Sequence, residues 1–284
     1  MKTLYISDLD GTLLQNNGEL SQKTIEIINK AIKNGLHFSF ATARTSATAL
    51  KMTEKLNITT PVILMNGVCV FDTQTFKYIK INSFSQNGLK SLIKVIKNLK
   101  LSGFLFSINE KTSQLTAFYE NLETPNAQNF MEERIKKFDK KFVCIEDFSY
   151  CKTIQNEKIV YYSVSDKMEK LEQAYAHLKK ISELNVEFYK DTYNKDFWYL
   201  EVACSTASKY SALKFIKENF NFNKIISFGD NLNDLPLFKA SDYSLAPQNA
   251  KKEVKEKANE IIDYNYNDGV AKYIEKTWNK IGLK

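Results

Sequence analysis

Short apolar runs alternate with amphipathic stretches along the first 82 residues of the chain. The runs Leu4–Ser7, Phe38–Ala41 and Val62–Met65 predict buried strands. Between the first two strands the pattern predicts a helix, with Ser21 as its N-cap and Gly35 just beyond its C-terminal end. Strands that alternate with helices at this spacing are typical of a parallel, doubly wound α/β sheet with a Rossmann-like core.

A different pattern extends from about residue 84 to residue 202. Strand-like runs there follow one another in pairs, and Met168–Ile181 carries apolar residues at helical spacing. The alternation of strand and helix returns after Lys209, with a strand predicted at Ile225–Phe228. The sequence therefore predicts an α/β core domain in two parts, residues 1–83 and 203–284, interrupted by an inserted α+β domain of residues 84–202.

Polar residues follow the predicted strands of the core. In four places a residue just after an apolar run can carry chemistry, namely Asp8, Thr42, Asn66 and Asp230. Ligands of open α/β sheets bind beyond the carboxyl ends of the strands. We therefore expect these side chains, although far apart in sequence, to meet at one edge of the sheet.

The string Asp8-Leu9-Asp10-Gly11-Thr12 places two carboxylates two residues apart at the end of a strand. A sharp turn at Gly11 would allow both side chains to enter one pocket. Two close carboxylates repel each other and need a cation or a proton between them. Mg²⁺ prefers such hard oxygen ligands, so the string indicates a magnesium site, whereas a plain acidic turn is the alternative interpretation.

These residues resemble the motifs of the haloacid dehalogenase superfamily, and the similarity is to its Cof-like phosphatase branch. Members of that branch carry a large α/β cap between the second and third motifs, which is where the insert of residues 84–202 lies. The matching pieces are Asp8–Thr12, Thr42 with Arg44, Lys209, Gly229–Asp234, Asn249-Ala250 and Asp268–Val270.

The resemblance implies a phosphatase that works through an aspartyl-phosphate. Asp8 would be the nucleophile, and Asp10 would act first as the general acid and then as the general base. Mg²⁺ would be held by the Asp8 carboxylate, the backbone carbonyl of Asp10 and the Asp230 carboxylate. The cap would exclude water and select the substrate.

The resemblance also implies a set of residues around the phosphate and the metal. The predicted phosphate-binding residues are Leu9, Thr42, Ala43, Lys209 and Asn233. Asp234 would orient Lys209 or a metal-bound water, and Asn66 and Arg44 are candidate substrate contacts. Taken without the resemblance, Thr42 is also a plausible helix cap and Asn66-Gly67 a common turn.

Two positions depart from the pattern of the branch. The second motif usually reads Thr-Gly-Arg, whereas this chain has Ala43 in the middle, and its methyl group restricts the backbone beside the phosphate. Pro247 stands where a residue with an amide N–H is more usual. Because Thr42 is intact, we expect activity to survive the first departure.

Composition adds little to this picture and removes some alternatives. The net charge is +7, yet only Arg44 and Arg134 are arginine, and the lysines are spread along the whole chain, so we expect no nucleic-acid partner. No apolar run is long enough to cross a bilayer, so no membrane partner is expected either. Four scattered cysteines and the absence of a signal peptide predict a cytoplasmic protein with reduced thiols.

The predicted function is Mg²⁺-dependent hydrolysis of a small phosphorylated metabolite. Sugar phosphates are the first expectation, and nucleotide or vitamin phosphates come second. A phosphosugar mutase or phosphotransferase on the same scaffold is one alternative, and a non-catalytic phospholigand-binding protein is another. The sequence assigns neither the specific substrate, nor the cap residues that select it, nor the oligomeric state.

Overall fold

The computed structural model describes residues 2–138, 140–153, 156–191 and 196–281. The chain divides into two compact units, which we call the core unit (Met1–Lys80 with Ser208–Lys284) and the inserted unit (Ile81–Ala207). The boundaries predicted from the sequence were 83/84 and 202/203. The second of these falls inside a strand, Trp198–Cys204, of the inserted unit.

The strands of the described residues are numbered in chain order. They are β1 (Thr3–Ser7), β2 (His37–Phe40), β3 (Val62–Leu64), β4 (Cys69–Asp72), β5 (Lys77–Ile81), β6 (Phe104–Asn109), β7 (Leu115–Tyr119), β8 (Lys141–Cys144), β9 (Glu157–Asp166), β10 (Leu184–Lys190), β11 (Trp198–Cys204), β12 (Lys224–Phe228), β13 (Tyr243–Pro247) and β14 (Glu260–Ile262).

The helices of the described residues complete the element order. They are α1 (Gln22–Lys33), α2 (Ser46–Met52), α3 (Gln86–Asn98), α4 (Pro125–Phe138), α5 (Met168–Leu178), α6 (Lys209–Asn219), α7 (Leu235–Lys239), α8 (Lys252–Lys255) and α9 (Gly269–Ile281). Among the residues described, none of them combines the length and the apolar character that a membrane crossing requires.

The described residues of the core unit contain a five-stranded sheet in the order β14-β13-β12-β1-β2, and every pair in it is parallel. The inner strand β1 is apolar because both faces of the sheet are covered. Leu4 and Ile6 pack in one cluster with Leu213 of α6, whereas Tyr5 contacts Trp278 of α9 on the other side. The predicted doubly wound α/β core is confirmed.

The sequence pattern predicted β3 as a further strand of this parallel sheet. In the structure β3 lies mainly in a different sheet. Among the described residues it joins β2 only through the isolated parallel bridge between Ala41 and Ile63. Its main partner is β4, with which it pairs antiparallel in a separate three-stranded sheet with β5. The reason is the turn at Met65–Gly67, whose residues all have positive φ angles and send the chain straight back along β3.

The first helix is anchored at its start by two hydrogen bonds of one side chain. Ser21 is the predicted N-cap, and its Oγ accepts the amide of Thr24 at 2.9 Å. The same hydroxyl donates to Oδ1 of Asp268 at 2.5 Å, and Thr24 donates to that oxygen at 3.1 Å. Asp268 therefore joins the beginning of α1 to the loop before α9, which is a structural role.

The inserted unit contains a sheet whose order, among the described residues, is β10-β11-β9-β6-β7-β8. Neighbouring strands are antiparallel except β7 and β8, which are parallel. Helix α5 packs on one face through Tyr175, which stacks on Phe188 of β10. Helix α4 packs on the opposite face, where Phe130 contacts Phe104 of β6. An α+β insert was expected from the paired strand-like runs.

Candidate active site

The carboxyl ends of three parallel strands lie side by side in the core unit. The amide of Asp8, directly after β1, donates to the carbonyl of Phe228 at the end of β12 at 2.9 Å. On the other side the amide of Ala41, directly after β2, donates to the carbonyl of Ser7 at 2.9 Å. Residues that follow β1, β2 and β12 are thereby brought to one edge of the sheet.

A buried lysine connects two carboxylates at this edge. The Nζ of Lys209 lies 2.6 Å from Oδ1 of Asp8 and 2.6 Å from Oδ1 of Asp234. The lysine side chain is 1% exposed, and the carboxylates are 8% and 0% exposed. Charged groups are buried to this degree only when they are paired. The three side chains, remote in sequence, therefore form one buried ionic cluster.

The start of α6 places Lys209 within this cluster. Ser208 is the N-cap of α6, and its Oγ accepts the amide of Ser211 at 3.1 Å. This cap fixes Lys209 as the first residue of the helix, from which its side chain reaches the strand ends. The turn Met65–Gly67 packs directly against this point, because a Cβ atom on Gly67 would clash with the Ser208 carbonyl group and lie 2.8 Å from the Lys209 amide nitrogen.

Gly67→Ala is expected to displace Lys209 from Asp8. The φ angle of Gly67 is +94°, which an alanine adopts only with strain, and the added methyl group has no space against the backbone of Ser208. A misplacement of about 1 Å reduces rates by about a hundredfold, and we expect a loss of kcat of that order in phosphate-release assays.

Gly18→Ala is the matched control for this substitution. Gly18 also has a positive φ angle, +78°, but a Cβ atom there would contact only the Met52 side chain, at 3.8 Å. We expect this variant to keep its kcat, although it carries similar backbone strain. Equal losses of kcat in the two variants would show that strain, and not the position of Lys209, limits the Gly67→Ala protein.

The loop after β12 is organised by Asp234. Its Oδ2 accepts the amides of Asp230 and Asn231, each at 3.0 Å, while its Oδ1 accepts Lys209. The Asp234 Cβ lies 2.5 Å from where a Cβ on Gly229 would stand, so a glycine is required there. Asp234 thus orients both the lysine and the loop that carries Asp230.

Asp230 is held at the turn that carries the first motif. Thr12 donates from its hydroxyl to Oδ1 of Asp230 at 2.9 Å. Gly11, with φ of +76°, passes so close that a Cβ there would lie 2.5 Å from Oδ2 of Asp230. Asn249 donates from Nδ2 to the Gly11 carbonyl at 2.7 Å and thereby fixes this turn from the other side.

Asp10 binds an arginine instead of joining the buried cluster. The guanidinium of Arg44 donates from Nε to Oδ2 of Asp10 at 2.7 Å and from an Nη atom to Oδ1 at 2.6 Å. This bidentate geometry fixes the plane and direction of the Asp10 carboxylate. The Asp10 side chain is 44% exposed, so it remains open to solvent and to a ligand.

Three polar residues between the strand ends are connected by hydrogen bonds. Thr42 is fully buried, and its Oγ1 accepts the amide of Arg44 at 3.1 Å. The Thr42 carbonyl accepts the amide of Asn66, whose Oδ1 accepts Nδ2 of Asn233 at 3.1 Å. Among the described residues, the buried Oδ1 of Asn233 has no hydrogen-bond partner. The candidate substrate contact Asn66 therefore positions Asn233.

The remaining predicted phosphate-binding residues lie beside the first two strands. Leu9 follows Asp8 and has its side chain fully buried in the core. Ala43 lies between Thr42 and Arg44 and is partly exposed. Both positions can offer only backbone groups to a ligand, so their predicted contact with phosphate stays a prediction.

Burial and mutual repulsion dominate the electrostatics of the carboxylates. Burial raises the pKa of Asp8 well above its usual range; Lys209 opposes this shift, and Asp234 and Asp230 add to it. Burial, followed by the charge of Asp234, raises the pKa of Asp230 to about 7. Burial would lower the pKa of Lys209, but Asp234 and Asp8 raise it above its ordinary value. One ammonium thus faces three carboxylates.

The donor set fits a divalent cation. Oxygen atoms of Asp8, Asp230 and Asp234 lie within 4.8 Å of one another. Both oxygens of Asp234 already accept hydrogen bonds, so Asp8 and Asp230 are the carboxylates that a cation would bind. Carboxylate oxygens are the ligands that Mg²⁺ prefers, and a cation would compensate the charge that Lys209 alone leaves unbalanced.

Sequence reasoning missed several residues that shape the site. Thr12 lies inside the first motif, but its partner Asp230 is 218 residues away. The sequence indicated Gly67 only as part of a common turn and gave no signal for Ser208, because only the close approach of the two backbones reveals their contact. Asn249 belonged to a recurring piece of the family pattern, and its contact with Gly11 gives that piece a physical reason.

Comparison with known proteins gives consistent matches. The model of a family described as haloacid dehalogenase-like hydrolase matches residues 5–274. The chain is 27% identical over 290 residues to a putative phosphatase of Buchnera aphidicola subsp. Schizaphis graminum, with 99% of this chain and 97% of the relative covered. It is 24% identical to the 5-amino-6-(5-phospho-D-ribitylamino)uracil phosphatase of Bacillus subtilis, with 97% and 98% covered. A crystal structure from Thermotoga maritima superposes with a TM-score of 0.75, at 25% identity and 97% coverage of both chains.

Proposed function

Since the chain belongs to the haloacid dehalogenase-like hydrolases and hydrolyses phosphoric monoesters, we propose that its substrate is a small, hydroxyl-bearing phosphorylated metabolite and that Mg²⁺ is required. Asp8 is the nucleophile in this proposal. The observation that supports it most directly is the buried cluster of Lys209, Asp8 and Asp234, with both distances at 2.6 Å. Burial of three charged groups costs desolvation free energy, so a cluster of this kind is more typical of a functional site than of a stabilising feature. Positioning a nucleophile is such a function.

The proposed reaction has two steps. A carboxylate oxygen of Asp8 attacks phosphorus, the bond to the leaving oxygen breaks, and the carboxyl of Asp10 supplies the proton that this oxygen needs. Water then attacks the acyl phosphate and gives its proton to Asp10, which releases inorganic phosphate and restores Asp8. Because Asp10 gives up a proton in the first step and takes one from water in the second, it ends each cycle in the protonation state in which it began.

Lys209 and Arg44 have different tasks in this reaction. Lys209 holds Asp8 in one rotamer and supplies a positive charge for the phosphate oxygens. Arg44 aligns the Asp10 carboxylate through both of its oxygens, and one of these two hydrogen bonds would open when Asp10 carries the proton. The partial exposure of Asp10 leaves room for the leaving group beside it.

The metal would be held by the carboxylates of Asp8 and Asp230. When bound, Mg²⁺ allows an anionic nucleophile to approach an anionic phosphate and neutralises charge on the transferring group. Thr12, through its hydrogen bond to Oδ1 of Asp230, fixes the direction of one of these ligands.

The class of substrate is supported by the relatives. The Bacillus subtilis protein acts, by its name, on a phosphate ester of a ribityl chain. We propose the same broad class here, a phosphate monoester on a carbon skeleton with several hydroxyl groups, and sugar phosphates are its commonest members. Nucleotide and vitamin phosphates are the next candidates.

Phosphate release from a panel of phosphorylated metabolites tests this proposal. The purified protein is assayed against sugar, sugar-alcohol, nucleotide and pyridoxal phosphates with Mg²⁺ and with EDTA. We expect release from at least one sugar or sugar-alcohol phosphate, and a fall of about a hundredfold or more when the metal is removed, because electrostatic terms of this kind supply several kcal/mol.

The same assay separates the alternatives. Release that is equally fast in EDTA would contradict the proposed metal. Transfer of the phosphate to a second sugar, with little free phosphate, would identify a mutase or phosphotransferase instead. Binding of phosphate esters without any turnover would identify a phospholigand-binding protein.

A further inference from the structure

The turn that carries the first motif is held at two of its carbonyl groups by asparagine side chains. Asn249, in the loop after β13, donates from Nδ2 to the Gly11 carbonyl at 2.7 Å. Asn265, in the loop before α9, donates from Nδ2 to the Leu14 carbonyl at 2.9 Å. The turn itself is closed by the amide of Leu14, which donates to the Leu9 carbonyl at 2.8 Å. The two asparagines therefore hold this turn near its middle and at its end.

The two asparagines are also bound to each other. The amide of Asn265 donates to Oδ1 of Asn249 at 3.0 Å, so both polar atoms of the Asn249 side chain are used. The Nδ2 of Asn265 donates in addition to Oδ1 of Asn16 at 3.2 Å. Because these hydrogen bonds form one connected chain between three loops, a shift of either asparagine would be transmitted to the first-motif turn.

The segment that carries Asn249 also contacts the loop of Asp230. Two residues after Asn249, the amide of Lys251 donates to the Asp230 carbonyl at 2.9 Å. Ala250, which lies between them, is buried in an apolar cluster with Phe238 of α7. Three consecutive residues therefore connect the loop of Asp230 to the turn of the first motif, and these two pieces of chain supply the ligands of the proposed metal.

There is no free space between the first-motif turn and Asp230. A Cβ atom on Gly11 would lie 2.5 Å from Oδ2 of Asp230, and the Thr12 hydroxyl donates to its Oδ1 at 2.9 Å. A small displacement of the turn would therefore change the direction of the Asp230 carboxylate and the position of the Asp10 carbonyl. Since Mg²⁺ demands nearly ideal octahedral geometry, its affinity should respond to such a displacement.

The buried side chain of Asn265 is unfavourable for the fold taken by itself. Asn265 is 2% exposed, and among the described residues its Oδ1 has no hydrogen-bond partner. An unsatisfied buried acceptor of this kind costs about 1–3 kcal/mol, and such groups in native proteins call for an explanation. The hydrogen bonds that its Nδ2 gives to the first-motif turn and to Asn16 are such an explanation.

We propose that Asn249 and Asn265 are positioning residues that set the affinity of the active site for Mg²⁺, because they fix the first-motif turn against Asp230. Neither asparagine binds the metal or the substrate in this proposal. Their loss should weaken metal binding and leave the chemical step nearly intact once Mg²⁺ is saturating, since the catalytic side chains are unchanged. This inference rests on the proposed function and deepens it, because it assigns metal affinity to residues outside the ligand set.

Metal binding in the absence of any substrate tests the inference. The metal-free protein is titrated with Mn²⁺, which shares the oxygen ligands of Mg²⁺ and whose free ion is counted by EPR, and Mg²⁺ is then added to displace it. We expect both dissociation constants to rise about tenfold or more in Asn249→Ala, because loss of groups that orient metal ligands typically weakens affinity about 10–100-fold. Asn265→Ala should shift them in the same direction, and if it fails to fold, Asn249→Ala at its exposed position still decides.

Asn259→Ala is the matched control. Asn259 is exposed, as Asn249 is, and its side chain also joins two segments of the core unit, because its Oδ1 accepts the amide and the hydroxyl of Ser244 at 2.8 and 2.9 Å. Ser244 lies near the amino-terminal end of β13, whereas the active site lies at the carboxyl ends of the strands. We expect this variant to lose a similar amount of stability and to keep both metal dissociation constants.

The Mg²⁺ dependence of phosphate release supplies the second readout. In Asn249→Ala the Mg²⁺ concentration for half-maximal rate should rise about tenfold, whereas kcat at saturating Mg²⁺ should stay within about threefold. Unchanged metal dissociation constants in a folded Asn249→Ala protein, or an equal rise in Asn259→Ala, would overturn the inference. A wild type that binds Mn²⁺ but releases no phosphate would count against the proposed function alone, and one that binds neither ion would overturn the proposed metal and this inference together.

Discussion

Asp8→Asn is expected to lower phosphate release by about four orders of magnitude or more, because loss of a catalytic nucleophile typically has effects of this size. The substituted amide cannot form the acyl phosphate. Its Oδ1 can still accept the hydrogen bond that Lys209 gives to Asp8 at 2.6 Å, so the buried cluster should keep its shape. The measurement is kcat/KM for the best substrate of the panel, in Mg²⁺.

Asp72→Asn provides the control for this result. Asp72 lies at the turn between β4 and β5, where its side chain accepts the amide of Gln74 and the hydroxyl of Thr75. An asparagine there should leave kcat/KM within about twofold, since surface substitutions rarely have larger effects. The circular-dichroism spectrum of Asp8→Asn should match that of the wild type, which would show that this variant is folded. Residual release above about one hundredth of the wild-type rate, in a folded protein, would exclude Asp8 as the nucleophile.

Lys209→Met is expected to reduce both activity and stability. Removal of one partner from a buried ion pair costs about 3–5 kcal/mol, because the other charges remain buried without compensation. Lys209 is 1% exposed and serves two carboxylates, so the upper part of that range applies. We expect a lower free energy of unfolding in urea and a loss of kcat of about a thousandfold, since the phosphate also loses a positive charge.

A second variant separates charge from packing in this experiment. In Lys209→Met/Asp8→Asn one of the two uncompensated carboxylates is gone, and the double variant should be more stable than Lys209→Met alone. Lys214→Met, at an exposed position of the same helix, should leave stability within about 0.5 kcal/mol of the wild type. A Lys209→Met protein as stable as Lys214→Met would contradict the view that this ammonium holds the site together.

The two carboxylates of the first motif, Asp8 and Asp10, have different surroundings, which their spacing in the sequence alone does not reveal. Asp8 is buried against Lys209, whereas Asp10 is paired with Arg44 and is 44% exposed. Arg44 was a candidate substrate contact on the sequence alone, and in the structure its guanidinium donates to both oxygens of Asp10. An arginine next to a phosphate-binding motif suggests a substrate contact, and only the fold shows that a carboxylate lies within its reach.

The alternation of apolar runs and polar strand ends was enough to determine the core of this protein. It predicted the parallel α/β sheet, the inserted α+β segment and the meeting of residues 8, 42 and 230 at one sheet edge, because the period of burial and the direction of parallel strands are local properties of a chain. The family was likewise readable from the order of short motifs.

Tertiary structure alone decided which of these groups touch one another. The contacts of Lys209 with Asp8 and Asp234 and the close approach of Gly67 to Ser208 depend on pairs of residues far apart in sequence. Hydrogen bonds and clashes act over about 3 Å, whereas sequence patterns give the direction of an element only to within several ångströms. For that reason the sequence pattern could indicate which polar residues follow the strands, and only the fold could show which partners these residues contact.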